Sequence, residues 1–574
     1  MTRWTVWGTV LGLGLGLGFA AHAAAPAYVQ APPLAGTLDK VAVKDVASGP
    51  TQVPLITWGG DIATVLANGN TKATAKNSIF GKLGLNLRLA REDVFAKQLE
   101  AYLSGRSPYL RGTLGMVNMA TEAAGCDPRT RPIVIYQLTW SAGGDALVVK
   151  QNIKATKDLR GKTVAVQAYG PHVDYLSKIL ADAGLTPKEV NIRWTSDLTG
   201  SAKSPAAALQ NPQVDAALVI IPDALALTSS GTVGTGAEDS VKGARILLST
   251  KTANRIIADV YAVRSDYFES NRAEVEKFVQ GLLQGEEALR KLVANKQSRA
   301  GEFKEAMSAA ARELLDSPQA ISDTEGMYRD ADFPGVAGNA AFFAKAENPR
   351  SFAVLNKEIQ GAFSALGLLA KAPPLEHAGW DYRKLGAGAD VAAAPEARRF
   401  DAEKVATMVA RKQSQGKLQE GQLFSFEVFF KPNQDKFTAD LYGDAFKRVT
   451  GLAATYGGAI ITVEGHSDPM AYLRAKRDGS PDVVLGRTQQ SAKNLSLSRA
   501  IAVRDSLIAY AKSQGVSLDP TQFAVVGHGI TQPKTGICGS DPCPPKTEAE
   551  WQSNMRVEFR ILQVEAEASA FKPL

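Results

Sequence analysis

The chain has 574 residues, more than one hydrophobic core usually supports, so we expect two or three domains. Its composition, 45% hydrophobic and 21% charged, is ordinary for a globular protein and excludes wholesale disorder. A formal net charge of +7 is a modest excess over this length and excludes the dense basic patches of a nucleic-acid-binding protein. The excess would suit an anionic solute or polymer, but ordinary solvated charge explains it more simply.

The first 23 residues have the layout of a secretory signal peptide. Arg3 supplies a positive charge, residues 10–21 are hydrophobic, and Ala-His-Ala at 21–23 offers small residues where a signal peptidase cuts. Glycines within the hydrophobic stretch lower its helix propensity, which favours a cleaved signal over a permanent anchor. No cysteine lies near the cut, which excludes lipid acylation. We therefore predict an exported, periplasmic protein with residues 24–50 as a flexible leader.

The region from residue 51 to residue 385 alternates short apolar strands with helical segments. A helix is predicted to begin near His172 and to end at 183–184. The predicted strands lie at 53–57, 162–167, 190–194 and 215–221. This rhythm of strand, glycine turn, helix and strand predicts parallel sheets flanked by helices.

Four stretches of this region carry recognisable patterns. They are Asp-Leu-Arg-Gly-Lys-Thr-Val-Ala-Val-Gln (158–167), Ala-Gly-Leu (183–185), Val-Asp-Ala-Ala (214–217) and Ile-Ala-Asp-Val-Tyr-Ala-Val-Arg (257–264). Together they resemble the two-lobed periplasmic solute-binding proteins of the nitrate, sulfonate and phosphate type. The resemblance implies an α/β two-lobed periplasmic-binding-protein fold of type II-like topology over residues 51–385.

Three glycine-containing segments could line a ligand crevice in such a fold, at 58–61, 141–145 and 170–172. Ligands of open α/β sheets bind beyond the carboxyl ends of the strands, where helix N-termini present free N–H groups. Glycines allow close backbone approach, and a serine hydroxyl or an imidazole can donate to an oxyanion. The candidate solute-binding residues are Trp58, Gly59, Ser141, Gly143, Gly170 and His172.

The same residues also have ordinary structural explanations. Gly-Gly-Asp is a common turn, Trp58 can be a core aromatic residue, and His172 can be an ordinary residue at a helix start. Asp61 and Asp145 would repel an anion unless they point away, which leaves the charge of the solute open.

No catalytic pattern accompanies the candidate crevice. We find no Ser/His/Asp trio, no metal-ligand spacing and no Walker-type phosphate loop. Relatives of this fold that make thiamine precursors need a cysteine-rich segment, and only Cys126 lies in this region. We therefore predict a protein that is not an enzyme and that has no cofactor and no bound metal.

Residues 386–417 begin with Gly-Ala-Gly-Ala and lack apolar periodicity at their start, so we predict a linker there. Beyond it, residues 418–565 form a second predicted domain. Its predicted elements are strands at 424–430, 459–466, 523–526 and 556–561, with helices at 440–456 and from 494. The last strand alternates, with Val557, Phe559 and Ile561 predicted inward and Arg556, Glu558 and Arg560 outward.

Three ordered motifs stand in this second domain. They are Gly-His-Ser-Asp (465–468), Leu-Ser-x-x-Arg-Ala-x-x-Val-x-x-x-Leu (495–507) and Asn-x-Arg-Val (554–557). They resemble the OmpA-like peptidoglycan-binding domain, which implies a small α/β fold of β-α-β-α-β-β order. In that family an aspartate binds the ammonium group of diaminopimelate and an arginine binds its carboxylate. The matching residues are Asp468 and Arg499.

Asn433 and Arg556 match positions near the same peptidoglycan pocket. One acceptor close to one bidentate donor suits a zwitterionic amino acid end. Structural alternatives remain: Asp468 could cap the following turn, and Arg499 could pair with Glu464 at the surface. Met555 replaces one arginine of the usual Asn-Arg-Arg-Val motif.

The stretch between Asp468 and Leu495 is longer than is typical of the family and carries four basic residues. They are Arg474, Lys476, Arg477 and Arg487. The stretch could meet further anionic groups of the wall beside the pocket, but we interpret it as a solvated loop.

Two of the three cysteines lie close together in a short turn-rich loop. Cys538 and Cys543 are predicted to form a disulfide, which an oxidising compartment permits. No second Cys or His pair accompanies them, which argues against a metal site. Cys126 is left as a free thiol.

The predicted function is non-catalytic binding of a small solute, with phosphate, sulfonate or nitrate as the expected anion, for an ABC transporter or a sensor. The protein would be tethered to peptidoglycan in the periplasm of a Gram-negative bacterium, within the outer-membrane-associated envelope. Its partners would be the diaminopimelate stem peptide, the solute and an inner-membrane permease, with no nucleic acid. The alternative is a structural envelope protein whose two-lobed region is a partner-binding spacer without a small ligand.

Overall fold

The structure is a computed structural model that describes residues 28–38, 41–344, 348–386, 400–418, 422–429, 443–516 and 518–562. The predicted signal peptide lies outside the described residues. The strands of the two-lobed region are β1 (Thr51–Leu55), β2 (Leu87–Arg91), β3 (Tyr109–Thr113), β4 (Pro132–Ser141), β5 (Asp145–Val149), β6 (Thr163–Gln167), β7 (Asn191–Thr195), β8 (Ala216–Ile220), β9 (Arg245–Ser249), β10 (Ala258–Arg264), β11 (Ala331–Asp332) and β12 (Glu376–His377).

The helices of this region surround three separate sheets. They are α1 (Asp61–Ala67), α2 (Ile79–Lys82), α3 (Phe95–Leu103), α4 (Leu114–Ala124), α5 (His172–Asp182), α6 (Pro205–Leu209), α7 (Ile221–Leu227), α8 (Ser265–Ser270), α9 (Arg272–Ala294), α10 (Ala300–Leu315), α11 (Ile321–Asp330), α12 (Gly335–Ala344), α13 (Phe352–Ala365) and α14 (Tyr382–Leu385). The predicted strands and the helix starting at His172 are confirmed to within two residues at each end.

Lobe 1 contains the parallel pair β1-β2 and a sheet of order β11-β4-β10-β3, with β12 beside β4. Lobe 2 contains a sheet of order β7-β6-β8-β5-β9. The prediction of parallel sheets is wrong in part: β6 pairs in parallel with β7 and β8, but β10 is antiparallel to β3 and β4, and β5 is antiparallel to β8 and β9. The strands that flank the two crossings between the lobes run in opposite directions. For this reason β4 is antiparallel to β10 in lobe 1, and β5 is antiparallel to β9 in lobe 2.

The chain crosses between the lobes at Ser141–Asp145 and at 250–257, and hydrogen bonds join the two crossings. The backbone N–H of Ser141 donates to the carbonyl of Ile257 at 3.1 Å. The hydroxyls of Ser141 and Thr250 lie 2.9 Å apart, and the N–H of Gly143 donates to the Thr250 hydroxyl at 3.1 Å. These contacts make the two crossings one hinge segment.

The described part of the predicted leader is attached to both lobes, contrary to the expectation of a flexible segment. The N–H of Val29 donates to the carbonyl of Trp194 in lobe 2 at 2.9 Å, and the N–H of Ala47 donates to the carbonyl of Gly105 in lobe 1 at 2.9 Å. Leu34 is fully buried in the core of lobe 1.

The C-terminal domain is one mixed sheet with helices on both faces. Its elements are α15 (Ala402–Ser414), β13 (Gln422–Phe429), α16 (Gly443–Thr455), β14 (Ile460–His466), α17 (Met470–Arg477), α18 (Asp482–Ser513), β15 (Phe523–Gly529), β16 (Ile537–Cys538), β17 (Asp541–Pro542), α19 (Glu548–Asn554) and β18 (Arg556–Leu562). The sheet order is β13-β18-β14-β15, with β14 and β15 parallel and the other pairs antiparallel. Helices α16 and α18 cover the face that carries Val557, Phe559 and Ile561.

Much of the predicted linker is instead the helix α15. Its apolar positions Val405, Met408 and Val409 recur at helical spacing and pack on the opposite sheet face, against Ile460 and Val526. Only residues 387–399 of the predicted linker lie outside the described part of the chain.

The alternation predicted for β18 is present, but the predicted exposure of its polar face is wrong. Arg556, Glu558 and Arg560 are all buried. Arg560 pairs with Glu558 at 2.9 Å and with Glu464 at 3.2 Å, so the polar face forms a network of ion pairs instead of a solvated surface.

The C-terminal domain contacts lobe 2 through the turn after α16. The hydroxyl of Tyr456 donates to Asp182 Oδ2 at 2.8 Å, and the N–H of Gly458 donates to the carbonyl of Thr252 at 3.1 Å. A Cβ on Gly458 would lie 1.8 Å from the carbonyl oxygen of Lys251, so this close approach requires glycine. The two domains are therefore in direct contact at the hinge segment. None of the described helices has the length and apolar character needed to cross a membrane.

Lobe 1 contains a buried ion cluster on which its packing should depend. Arg111 is fully buried and forms a bidentate pair with Asp61 at 2.8 and 3.2 Å and a second pair with Asp259 at 2.7 Å. Replacing Arg111 by alanine leaves two buried carboxylates without their cation. We expect the free energy of unfolding to fall by about 3–5 kcal/mol.

Urea unfolding followed by circular dichroism measures this change. Arg129→Ala is the matched control, because Arg129 pairs with Asp127 and Asp45 at the surface and its loss should have little effect. Equal shifts for the two variants would contradict the role of the buried cluster.

Candidate functional sites

The surfaces of the two lobes meet at a set of buried polar side chains that we call the interlobe seam. On the side of lobe 1, the indole N–H of Trp58 donates to the hydroxyl of Thr139 at 2.9 Å, and that hydroxyl lies 3.1 Å from Asp259 Oδ2. On the side of lobe 2, the hydroxyl of Ser141 donates to Asp145 Oδ2 at 2.6 Å, and His172 Nε2 lies 2.8 Å from Asp145 Oδ1. Polar groups from both lobes therefore converge, as a solute clamp requires.

The structure places the six predicted solute-binding residues in or beside this seam. Trp58 packs closely over Gly144, where a Cβ would lie 2.5 Å from the indole ring. Ser141 and Gly143 belong to the hinge segment, and His172 is buried against Asp145. Their roles toward a solute remain predictions.

The two other predicted glycines lie close to the protein's own atoms. A Cβ on Gly59 would lie 2.0 Å from the carbonyl oxygen of Met327, and a Cβ on Gly170 would lie 2.0 Å from Gln167 Oε1. Glycine is needed at both positions for packing, which explains these residues without a ligand.

Asp174 is a residue of the seam that the sequence did not indicate. It lies in the first turn of α5 in lobe 2, and its Oδ2 accepts a hydrogen bond from the N–H of Gly115, at the start of α4 in lobe 1, at 3.2 Å. Burial raises the pKa of Asp174 to about 7. An acidic residue in the first turn is common at helix N-termini, so its position within α5 gave no sign of a contact across the lobes.

The seam contains more carboxylates than cations. The carboxylates are Asp61, Asp145, Asp174 and Asp259, with Asp330 beside Gly143. The basic residues are Arg111 and His172, with Arg329 and Lys251 close enough to Asp330 to lower its pKa. Burial raises the pKa of Asp61 to about 7, although Arg111 acts in the opposite direction. Burial likewise raises the pKa of Asp330 to about 6. Asp61 and Asp259 already balance the positive charge of Arg111, so an anionic solute would gain little binding energy from it.

The second candidate site is a cavity of about 510 Å³ in the C-terminal domain that contains both predicted wall-binding residues. Asp468 and Arg499 line it together with Tyr472, Trp551 and Met555. Burial raises the pKa of Asp468 and lowers the pKa of Arg499. The cavity therefore presents one acceptor and one cationic donor beside aromatic surface, which suits a zwitterionic group.

Of the two structural alternatives for this pair, one is present and one is not. Asp468 Oδ1 accepts from the N–H of Met470 at 3.2 Å, so the carboxylate does support the start of α17. Glu464 instead pairs with His528 at 2.8 Å and with Arg560, on the sheet face opposite α18. The proposed surface pair of Arg499 with Glu464 is therefore wrong.

The prediction that Arg556 lies near this cavity is also wrong. Its side chain lies on the opposite sheet face, where it contacts Glu427 at 3.3 Å and lines a separate cavity of about 630 Å³. Strand alternation causes this, because Val557 faces α18 and its neighbour must face away. Asn433 lies outside the described residues.

The long stretch after Asp468 is helical, contrary to the interpretation as a loop. It forms α17 and the first half of α18, and Arg487 from this stretch lines the cavity. Cys538 and Cys543 form a disulfide that closes the β16-β17 hairpin. Asp541 in this hairpin accepts from Lys476 at 2.6 Å and from the hydroxyl of Tyr472 at 3.1 Å, which supports α17 as a wall of the cavity.

Among the described residues, Glu464, His466 and His528 have their potential ligand atoms within 4.8 Å of one another and could hold a metal ion. The rings of His466 and His528 are nearly parallel, with centroids 4.8 Å apart. Burial, with Arg556 nearby, lowers the pKa of His466 to about 2, so the same surroundings oppose an added cation. We therefore assign this cluster to the packing of the sheet.

Comparison with known proteins gives the following matches for the two-lobed region. Residues 144–295 match the family model described as NMT1/THI5 like. No curated protein matches the sequence.

Several solved structures are similar to this region. The periplasmic aliphatic sulphonate binding protein SsuA from Escherichia coli has 18% identity and a TM-score of 0.38, over 59% of this chain and 92% of that chain. The nitrate-binding protein NrtA from Synechocystis PCC 6803 has 14% identity and a TM-score of 0.41, over 62% and 92%. The desulfurization enzyme DSZB has 16% identity and a TM-score of 0.35, over 58% and 98%.

The titration of Asp174 gives a testable pH dependence. An unfolded aspartate has a pKa of about 3.9, whereas that of Asp174 is about 7 in the folded protein. Between these values only the folded state holds the proton, so stability falls as pH rises through this window. Asparagine stays uncharged, so we expect Asp174→Asn to gain melting temperature relative to the wild type from pH 5 to pH 8.

Differential scanning calorimetry at both pH values tests this expectation. Asp127→Asn is the control, because Arg129 lowers the pKa of Asp127 and the group stays ionised throughout the range. A difference between Asp174→Asn and the wild type that does not change with pH would contradict the assignment.

Proposed function

We propose that this protein is a non-catalytic periplasmic solute-binding protein of the ABC-transporter type, held on peptidoglycan by its C-terminal domain. The observation that carries the proposal is the seam, where buried polar groups of two lobes meet beside a hinge segment. Such an arrangement lets a small ligand stabilise the closed state by contacting both lobes at once. The partners would be a small solute, an inner-membrane permease or sensor, and the wall.

The electrostatics of the seam bear on the class of solute. The names of two of the similar structures describe sulphonate and nitrate binding, and the sequence resemblance also predicts an anionic solute. In this chain Asp174 already occupies the N-terminus of α4, where an anion would otherwise accept hydrogen bonds. We therefore propose a neutral or cationic solute with donor groups that face the seam carboxylates.

The lack of catalysis is also part of the proposal. The one free cysteine, Cys126, is exposed beyond the end of α4, and its thiol lies 3.2 Å from the carbonyl of Glu122. It is therefore not among the buried groups of the seam.

Anchoring to the wall rests on the cavity shared by Asp468 and Arg499. The pair has the chemistry that the OmpA-like resemblance assigns to diaminopimelate recognition: a carboxylate for the ammonium group and a guanidinium for the carboxylate. The disulfide-closed hairpin that supports α17 suits an oxidising compartment such as the periplasm.

One observation favours the alternative function of a spacer without a ligand. A Cβ on Gly115 would lie 1.6 Å from Asp174 Oδ1, so the two lobes are in tight contact at this point. A clamp closed by its own carboxylate can serve as a rigid body that binds partners.

A solute screen distinguishes these two functions. The full chain, purified from the periplasm of an expression host, is heated with a panel of amines, amino acids, nitrate, phosphate and alkanesulfonates. Binding to the folded state at a hundred times the Kd stabilises it by about 2.7 kcal/mol, which a melting curve detects. We expect an amine or amino acid to raise the melting temperature; a rise only with anions would contradict the proposed solute class, and no rise with any solute would favour the spacer.

Sedimentation with purified sacculi tests the wall anchor. Asp468→Asn and Arg499→Gln each remove one partner of a charge-assisted contact, so we expect retention to fall at least about tenfold. Arg504→Gln is the matched control, because Arg504 lies further along α18 and pairs with Asp505 at 2.7 Å. Full retention of both cavity variants would refute the anchor.

A further inference from the structure

The cavity of Asp468 and Arg499 continues along the first half of α18. The residues of α18 that line it recur at every third or fourth position, among them Val484, Arg487, Ser491, Leu495 and Arg499. Arg487 precedes Arg499 by 12 residues, which is roughly 18 Å along the helix axis. The cavity is therefore a groove with a cationic residue toward each end.

The wall of this groove mixes apolar and small polar side chains and is open to solvent: Leu495 lies between the two arginines together with Ser491, and Val484 lies before the first arginine. Val484 is 42% exposed and Leu495 is 48% exposed, although both line the concave surface. Trp551 lines the same groove. Exposed apolar side chains in a concavity with a few charged groups are typical of a ligand site.

Arg487 is placed differently from its basic neighbours in the same stretch. Lys476 is held by Asp541 at 2.6 Å and Arg477 contacts Asp478 at 3.0 Å. Arg487 lines the groove and forms no ion pair with any residue that the structure describes. Its guanidinium is therefore available to an anionic group of a ligand.

We propose that Arg487 forms a second carboxylate subsite of the groove, an inference that rests on the proposed binding of peptidoglycan. The diaminopimelate end of a stem peptide would bind Asp468 and Arg499, and a second carboxylate of the same peptide would bind Arg487. The two arginine positions are roughly 18 Å apart along the helix axis, and the distance between the guanidinium groups is shorter when both side chains lean into the groove. The second carboxylate is therefore placed on a residue linked directly to diaminopimelate. The occupant is thus a stem peptide, in which the γ-linked glutamate and the chain end carry free carboxylates.

The test compares two ligands on the full chain by the fluorescence of its tryptophans or by calorimetry. Free meso-diaminopimelate reaches only Asp468 and Arg499, whereas a muramyl-free tetrapeptide stem also reaches Arg487. We expect Arg487→Gln to weaken the tetrapeptide about fivefold and to leave diaminopimelate unchanged, as for a solvent-accessible charge pair. Arg477→Gln, which removes the same charge outside the groove, should change neither affinity.

A tetrapeptide with its glutamate α-carboxylate amidated, and one with its chain end amidated, identify the group concerned. We expect one of the two amidated peptides to bind the wild type as weakly as the unmodified tetrapeptide binds Arg487→Gln. The Arg487→Gln substitution should then cause no further loss of affinity for that amidated peptide. Equal tetrapeptide affinity for the wild type and Arg487→Gln overturns the subsite while leaving the wall anchor intact. If neither ligand binds the wild type, the anchor itself fails and the subsite fails with it.

Discussion

The buried guanidinium of Arg111 is the interaction on which the two-lobed region depends. A cation without access to water is tolerated only when carboxylates surround it, and here they come from the start of α1 and from β10. Holding Asp259 also fixes Thr139, and Thr139 in turn accepts from the indole of Trp58. One ion cluster therefore fixes the positions of the seam residues of lobe 1. The cluster includes the start of β10, which directly follows the hinge segment.

Polar groups at the surfaces of the two lobes already have partners, and any solute must compete with them. Asp174 of lobe 2 accepts a hydrogen bond from the N–H of Gly115 in lobe 1, and within lobe 2 His172 is paired with Asp145. A solute must replace such contacts with better ones, because a ligand shifts an equilibrium only by its difference in affinity for the two states. Only molecules in which these internal contacts are open can bind the solute. The apparent affinity is therefore the intrinsic affinity multiplied by the fraction of such molecules.

Local patterns predicted the elements well, and long-range pairing explains what was missed. Asp468 and Arg499 could be placed in one cavity because each lies in an ordered linear motif. Arg556 was misplaced although strand alternation, visible in the sequence, puts it on the face opposite Val557. The spacing of Val405, Met408 and Val409 also indicates a helix, but the Ala- and Gly-rich residues before it favoured a linker. Asp174 has no local signature, since its partner is 59 residues away.

The contact between the domains determines which lobe is anchored. The last residue of α16 accepts a hydrogen bond from the N–H of Arg255, and the turn after α16 is hydrogen-bonded to Thr252, both in the hinge segment. Tyr456 is bonded to Asp182 in lobe 2. Lobe 2 is thereby fixed to the domain proposed to hold the wall. The contacts of the hinge with lobe 1 include the partly exposed pair of Arg255 with Asp332 at 2.6 Å and the bond from the buried Arg350 to the carbonyl of Arg255 at 2.7 Å. On a tethered molecule, opening of the seam would thus move lobe 1, while lobe 2 would stay with the peptidoglycan.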